Sequence, residues 1–421
     1  MRCPPSTTPV ALGGHGDIVG TYEYKVTDSG SADHETTKFS LVVGGPFNGV
    51  LIRLGLTGAD QLPTQRAAIG LALLAWLLPA LLAVAQSIVD SSFSGWGYFT
   101  DSTVYTRYLV AIWAMLATER YADGRTLMLA HQFRQAQILS EDSLPAFASA
   151  LAVADRRSSS WIAELIILAV AVIWSTATAR YAVELAGSSW EGTAAAGGVV
   201  LSWAGETARF LSNPFFLFLV LRWIWRFLVW TELLYRISRL PLRLMPLHSD
   251  RSAGLGFLAI YPGVFSGFVF ALSCVVASSM LKELDLAQYS PTTVWIALAV
   301  WLAIILVLFL GPLLVFARPL IAVREQALRD YGRLADQHHV AFHRKWIEGE
   351  RSGEDLMGAS DLSAASGLNS HLQAVRGLHV VPVDRAAVVQ LLVAVGVPLL
   401  AVVIREVPLA DIVKWIVGKI L

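Results

Sequence analysis

Stretches of about twenty apolar residues recur along the chain, separated by polar segments. A helix that crosses the ~30 Å hydrocarbon core of a bilayer needs about 20 such residues, so each stretch is a candidate transmembrane helix. The seven candidates are residues 67–85, 102–119, 158–179, 208–231, 256–281, 291–317 and 386–404. The pattern therefore predicts an all-α fold: a polytopic helical membrane protein with about seven transmembrane helices and cytoplasmic helical extensions.

Three of these candidates contain charged side chains. Residues 158–179 hold Glu164 near their start, and residues 208–231 are interrupted by Arg222 and Arg226. Residues 102–119 are the weakest candidate because Arg107 lies inside them. This second span is nevertheless predicted, since the segregation of basic residues between loops fails without it.

Basic residues alternate between rich and poor segments along the chain. Twenty-three basic residues lie in the rich segments and six in the poor segments. The rich segments are the tail up to Arg66 and residues 119–158, 236–251 and 318–385, and the poor segments are residues 88–103, 179–209, 282–292 and those after 404. Since basic loops stay in the cytoplasm, we predict a cytoplasmic N-terminus and a periplasmic or extracellular C-terminus.

The same segments suggest four regions. They are residues 1–65, a polar cytoplasmic tail with a short amphipathic helix at Phe47–Leu56; residues 66–317, transmembrane helices one to six with a cytoplasmic helical hairpin at 120–157; residues 318–385, a cytoplasmic helical region; and residues 386–421, transmembrane helix seven with an interfacial amphipathic helix on the outer side at Pro408–Leu421.

Composition supports a membrane protein and excludes several other classes. Hydrophobic residues make up 55% of the chain, charged residues 15%, and mean hydropathy is +0.57, whereas about a quarter of the residues of a soluble domain are charged. The net charge of +0 gives no field for nucleic acid. Cys3 and Cys274 can build neither a disulfide framework nor a thiolate metal site. No metal and no cofactor are therefore predicted.

Charges within the predicted spans are candidates for an ion pathway. Arg222 and Arg226 lie four residues apart and share one helix face, because residues at that spacing are neighbours on a helix. They could attract anions or lipid phosphates, or they could extend to the inner interface. Glu164 is a natural counter-ion for one of them. Arg107 is a further pathway candidate, or an anchor at the outer interface.

The loop between predicted spans four and five is the second candidate region. Pro241 and Pro246 prevent a continuous helix there. The candidate residues are His248, Asp250, Arg251, Gly254 and Gly256. They could form an ion, proton or headgroup site, or simply a structured loop that caps span five. His248 and Asp250 alone are too few for a metal site.

Three segments resemble a widespread family of bacterial multi-pass inner-membrane proteins of uncharacterised activity. The matching segments are Leu221–Arg226, Pro246–Leu258 and Gly358–Ser370 continuing through Val375–Pro382. The family's loop reads His-Pro-Asp-Arg-Ala-Gly-Gly-Leu-Gly-Phe-Leu, and this chain has Ser249 and Ala253 in place of the proline and one glycine. The resemblance implies a bacterial inner-membrane location and no particular activity.

We therefore expect an ion channel or transporter, assembled as a homo-oligomer in contact with membrane lipids. It would favour anions over cations if Arg222 and Arg226 face a pore. The alternative is a non-transporting scaffold or sensor whose cytoplasmic helices bind a protein partner. An enzyme acting at His248 and Asp250 is a third hypothesis, which the absence of a nucleophile motif or paired catalytic carboxylates makes the least favoured; no catalytic residue is predicted.

Overall fold

The structure, a computed structural model, describes residues 39–406 except 91–92, 94, 187, 196–197, 286–290 and 349–359. Within these residues the chain is helical, with one small sheet. The tail up to residue 38 and the helix predicted at Pro408–Leu421 lie outside the described residues.

The main helices in the described part of the first half are six, and they range from 9 to 26 residues. They are α1 Gly45–Arg53, α2 Gln65–Val89, α3 Ser102–Ala117, α4 Glu119–Gln135, α5 Leu144–Ser158 and α6 Trp161–Ala186. Helix α3 is composite, because residues Tyr105–Ala111 within it are π-helical. A 3₁₀ turn at Glu141–Ser143 separates α4 from α5 within the region predicted as a helical hairpin at 120–157.

The second half begins with a small antiparallel sheet. Its strands are β1 Ser188–Ser189, β2 Gly192–Ala195 and β3 Gly198–Leu201. Helix α7 then runs over Trp203–Thr207, a π-helical segment Ala208–Ser212, and Asn213–Ser238. The remaining helices are α8 Ser266–Asp285, α9 Pro291–Leu310, α10 Ala317–Trp346, α11 Ser360–Arg376 and α12 Arg385–Glu406. Helical turns at Gly256–Ile260 and Tyr261–Val264 lead into α8.

Five helices are long and apolar enough to cross a membrane. They are Gln65–Val89, Trp161–Arg180, Gly256–Leu284, Thr292–Trp346 and Arg385–Arg405. Only 22% to 44% of their most apolar stretches is buried inside the protein. The rest of that surface faces outward, where water would disfavour it and lipid would not. These helices indicate a multi-pass membrane protein.

The other two predicted spans form helices that do not meet this measure, so seven spans are not confirmed. The three parts of α3 hold 3, 7 and 6 residues, a length of roughly 24 Å at ~1.5 Å per residue, short of the ~30 Å hydrocarbon core. The Asn213–Ser238 part of α7 has 26 residues. It is long enough, but it carries Arg222, Arg226, Glu232 and Arg236.

Helix α9 continues into α10, as predicted for span six and its extension. Between the two lies a 3₁₀ turn over Gly311–Phe316, which begins at the Gly311-Pro312 pair. Proline lacks the backbone N–H that an α-helix would use there. The result is one helical run of 55 residues from Thr292 to Trp346.

One end of the bundle is joined by contacts to Asp101, and we call it the Asp101 end. The Asp101 carboxylate accepts hydrogen bonds from Lys282 Nζ at 2.7 Å and Trp190 Nε1 at 3.1 Å. Nearby, the backbone N–H of Trp203 donates to Gln86 Oε1 at 2.7 Å. Segments predicted on the outer side therefore meet here.

The opposite end, which we call the Arg120 end, joins the segments predicted in the cytoplasm. Arg120 Nε lies 2.8 Å from the Asp60 carboxylate, and Arg157 pairs with Glu232. The backbone N–H of His379 donates to the carbonyl of Arg251 at 2.7 Å.

Aromatic side chains fill the core between α7, α8 and α9. The Trp223 ring stacks on Phe268 at a centroid distance of 5.7 Å and an interplanar angle of 12°. Phe227 meets Phe309 edge to face at 5.1 Å and Phe265 at 5.6 Å. This packing holds α7 inside the bundle.

Candidate functional site: a buried ion cluster and two cavities

Four charged side chains meet inside the bundle near the Arg120 end, and we call them the ion cluster. Its members are Glu119 of α4, Glu164 of α6, and Arg222 and Arg226 of α7. The Glu119 Oε1 atom lies 2.7 Å from Arg222 Nη1 and 2.8 Å from Arg226 Nη1, and Arg222 Nε lies 3.0 Å from Glu164 Oε1. None of the four residues is more than 5% exposed.

The segment before α1 and the first turn of α1 complete this cluster. The Val42 carbonyl accepts a hydrogen bond from Arg226 Nη2 at 3.0 Å, and the backbone N–H of Phe47 donates to Glu164 Oε2 at 2.8 Å. The Arg222 guanidinium lies over the Phe47 ring at 5.0 Å. Gly45 has φ +79°, and a Cβ atom there would lie 2.6 Å from the Glu164 carboxylate. Only glycine therefore allows this approach.

The predicted pairing of Glu164 with one of the two arginines is confirmed, and the partner is Arg222. Glu119 was missed, although it is an acid at the junction of a predicted span and the following hairpin. With two carboxylates for two guanidiniums the cluster has no net charge. The predicted anion-attracting role of Arg222 and Arg226 is not one that this geometry supports, because their charges are neutralised within the protein.

The loop before α8 is organised around the Asp250 carboxylate. It accepts backbone N–H groups from Ser252 at 2.8 Å, Gly254 at 3.1 Å and Gly256 at 2.7 Å, and His248 Nδ1 lies 2.9 Å away. Burial alone would raise the pKa of Asp250, but these hydrogen bonds more than offset it, so its pKa is lowered. The Asp250 carboxylate therefore binds backbone groups of its own loop, as expected if the loop is structured and caps the following helix.

Arg251 contributes its backbone to the same loop. Its φ is +54° and its carbonyl accepts the His379 N–H, while its side chain is exposed. A cavity of about 410 Å³ lies between this loop, α4 and the start of α12. Its polar lining groups include Arg125, Asp250, His379 and Asp384. Two carboxylates face one arginine there, so the lining has no excess of positive charge.

A second, smaller polar cavity lies near the Asp101 end, and we call it the Arg107–Arg209 cavity. It has a volume of about 240 Å³. Its lining consists of Arg107, Thr178, Ala179, Glu191, Leu201, Gly205, Ala208, Arg209 and Asn213. Arg107 lies in the π-helical part of α3 and Arg209 in that of α7. Single π-helical turns within α-helices occur frequently at functional sites.

Both arginines retain unused hydrogen-bonding capacity. The buried Nε atoms of Arg107 and Arg209 have no hydrogen-bond partner among the described residues. Arg107 Nη1 donates to Asn213 Oδ1 at 3.2 Å, and Tyr108 O–H donates to the same oxygen at 2.8 Å. Arg209 Nη1 lies 3.5 Å from Glu206 Oε2, an ion pair without hydrogen-bond geometry. A buried unpaired donor is costly, which makes this cavity a candidate binding site.

Glu191, in the turn between β1 and β2, lines the cavity as well. Burial raises the pKa of its carboxyl, and the charges of Arg107 and Lys282 offset only part of that rise. The loop that carries Glu191 closes against Gly205, where a Cβ atom would lie 2.0 Å from the Glu191 carbonyl oxygen. Of the cavity's charged groups, the sequence singled out only Arg107. Nothing in the local sequence distinguishes the other two. Glu191 lies in a predicted loop, and Arg209 lies at the start of the fourth predicted span.

In the described part of the chain, no group of three or more His, Cys, Asp or Glu side chains is placed to hold a metal ion. No protein family, no curated protein and no solved structure was found to match the chain. The resemblance to a bacterial inner-membrane family therefore stays a prediction.

Proposed function

We propose that this protein transports a small anion across a membrane. The observation that carries the proposal is the Arg107–Arg209 cavity, which is lined by two arginines whose Nε atoms are buried and have no hydrogen-bond partner among the described residues. Guanidinium groups bind oxyanions through planar pairs of N–H donors. Pockets for drug-sized ligands run to about 300–1,000 Å³, so a cavity of about 240 Å³ suits a small ion better than a large substrate.

The proposed topology has seven crossings, with the N-terminus in the cytoplasm of a bacterial cell and the C-terminus outside. In its support, segments predicted outside meet at the Asp101 end and segments predicted inside meet at the Arg120 end. For the chain to pass back and forth between these two ends, α3 and α7 must also cross the membrane, as the second and fourth spans. Arg222 and Arg226 of α7 are tolerable in a membrane because they are buried against protein instead of facing lipid. The Arg107–Arg209 cavity is then on the outer side.

Nitrate uptake by purified protein in liposomes tests this function. We expect uptake above that of protein-free vesicles, and a decrease of about tenfold or more in the R107Q/R209Q double variant, since a hydrogen bond to a charged group contributes ~1.5–3 kcal/mol. Arg180, which is exposed near the same end of the bundle, provides a matched control. R180Q should transport nitrate at the wild-type rate.

Two outcomes would contradict the proposal. Equal nitrate uptake by wild type and R107Q/R209Q would remove the cavity from the pathway. Potassium flux without nitrate flux would leave a transporter but exclude an anion as its substrate. Size-exclusion chromatography and thermal unfolding of each variant must match wild type for the comparison to hold.

A scaffold or sensor is the second candidate, and exposed apolar residues on α10 favour it. Helix α10 packs along α11, yet Leu334, Val340 and Ile347 are 52%, 54% and 67% exposed on or just after it. Exposed apolar side chains on a projecting helix suit a protein partner. Stoichiometric co-purification of a soluble protein, lost in L334E/V340E and combined with no ion flux in wild type, would support this candidate.

A further inference from the structure

The Arg107–Arg209 cavity contains a carboxylate that an anion pathway alone does not require. Glu191 is half-buried, and its charge is felt by Arg107 and Lys282. No described side chain forms an ion pair with it within 4.0 Å. A carboxylate in this position competes with an incoming anion for the positive charge of Arg107.

The other charged and titratable groups around Glu191 are already engaged. Asp101 is held by Lys282 and Trp190. Burial alone would raise the pKa of Asp101, but its hydrogen bonds and the Lys282 charge lower it by more. The pKa is therefore below its usual value, and this carboxylate stays ionised. Glu206 lies beside Arg209, and the Tyr108 hydroxyl donates a hydrogen bond to Asn213 Oδ1. Glu191 is therefore the group on this face that is most free to change its protonation state.

We propose that a small anion binds between Arg107 and Arg209 together with one proton, and that Glu191 accepts this proton. The inference rests on the proposed function and names the substrate class: an anion that is taken up with H⁺. Its physical reason is charge balance. Adding an anion beside an ionised Glu191 would place two negative charges in one small cavity, whereas adding an anion and a proton changes the net charge by zero.

The chemistry is one reversible proton transfer. The proton comes from the solvent, bonds to a carboxylate oxygen of Glu191, and leaves when the anion leaves. An added negative charge favours the protonated form of a neighbouring carboxyl, so binding of the anion and the proton is mutually favourable. By linkage, anion affinity must then rise as pH falls, by at most about tenfold per pH unit for one proton.

Isothermal titration calorimetry of nitrate binding to the full chain in lipid nanodiscs tests the inference. Nitrate is the anion of a strong acid, so protons taken up on binding must be accepted by the protein. Titrations in buffers of different ionisation enthalpy count those protons. We expect a proton uptake approaching one per nitrate, and a dissociation constant that decreases as pH is lowered from 8 towards 6.

The variant E191Q should abolish both the proton uptake and the pH dependence, with tight binding at pH 6 and pH 8 alike. Glu184, exposed near the same end of the bundle, is the matched control, and E184Q should retain wild-type proton uptake. The buffer dependence of the wild-type heat tests the inference even if E191Q fails to fold.

Nitrate binding with no proton uptake would overturn the inference and leave the anion site of the proposed function intact. Undiminished proton uptake by a folded E191Q would exclude Glu191 as the acceptor. The absence of nitrate binding would overturn both the inference and the cavity as an anion site. Proton-coupled nitrate binding without flux in liposomes would instead refute transport and leave the inference standing.

Discussion

Removal of the Glu119 carboxylate should be the most damaging single change in the ion cluster. Glu119 contacts Arg222 and Arg226 at 2.7 and 2.8 Å, whereas Glu164 contacts Arg222 alone. The E119Q variant leaves Arg226 without a carboxylate and gives the buried cluster a net charge of +1. Breaking a buried ion pair in this way costs about 3–5 kcal/mol. E164Q also leaves the cluster with a net charge of +1, but both arginines then keep Glu119 as a partner, so we expect a smaller loss, towards the lower end of that range.

A charge-balanced double variant separates the effect of net charge from that of lost contacts. E119Q/R226Q removes one charge of each sign and leaves the Arg222–Glu164 pair intact. If uncompensated charge is the main cost, the double variant should be more stable than E119Q by ~1–2 kcal/mol, despite carrying one more substitution.

Urea unfolding in mixed micelles measures these differences. Trp223 and Trp230 are almost fully buried in the core, so tryptophan fluorescence reports on the packing of α7. Free energies follow from linear extrapolation to zero denaturant. The reasoning would be refuted if E119Q stayed within ~0.5 kcal/mol of wild type, the usual range for a surface substitution, or if E119Q/R226Q were no more stable than E119Q.

Two further substitutions test the loops. G205A should lower the free energy of unfolding by about 1–3 kcal/mol, the usual range for overpacking, because its Cβ would lie 2.0 Å from the Glu191 carbonyl oxygen. G70A, which meets no atom within 4 Å, should not, and equal thermal stability of the two variants would exclude a close contact at Gly205. D250N should be less stable than wild type near pH 7. The lowered pKa of Asp250 makes its contribution to stability fully present above the unfolded-state pKa and lost as pH falls through the folded-state pKa. Unfolding at pH 7 and in acid checks this, and a difference that grows in acid would contradict it.

Hydropathy predicted the long elements of this fold because a transmembrane helix is a local property of about 20 residues. It located the starts of the five membrane-length helices, at Gln65, Trp161, Gly256, Thr292 and Arg385, within three residues. The pairing of Glu164 with Arg222 was also predictable, since an unpaired charge inside a bilayer is costly and Glu164 was the nearest opposite charge along neighbouring spans.

The rest of the candidate site depends on contacts that no local pattern specifies. The Val42 carbonyl is a backbone group in a segment without periodicity, and its contact with Arg226 joins residues 184 positions apart. The π-helical segments that carry Arg107 and Arg209 have the composition of ordinary helix. Glu191 reaches the cavity from the two-residue turn between β1 and β2, which Gly205 at the start of α7 allows to approach closely.

The position of the ion cluster along the chain bears on how the protein enters its membrane. An arginine at the centre of a lone helix costs ~2.5–3.5 kcal/mol to insert, and α7 carries two. Glu119 and Glu164 both precede α7 in the sequence, as does the Val42 carbonyl, so every partner of these arginines has already been synthesised when α7 leaves the ribosome. If α7 crosses the bilayer as proposed, we expect it to enter together with the helices before it, and its arginines to delay insertion until those helices are present.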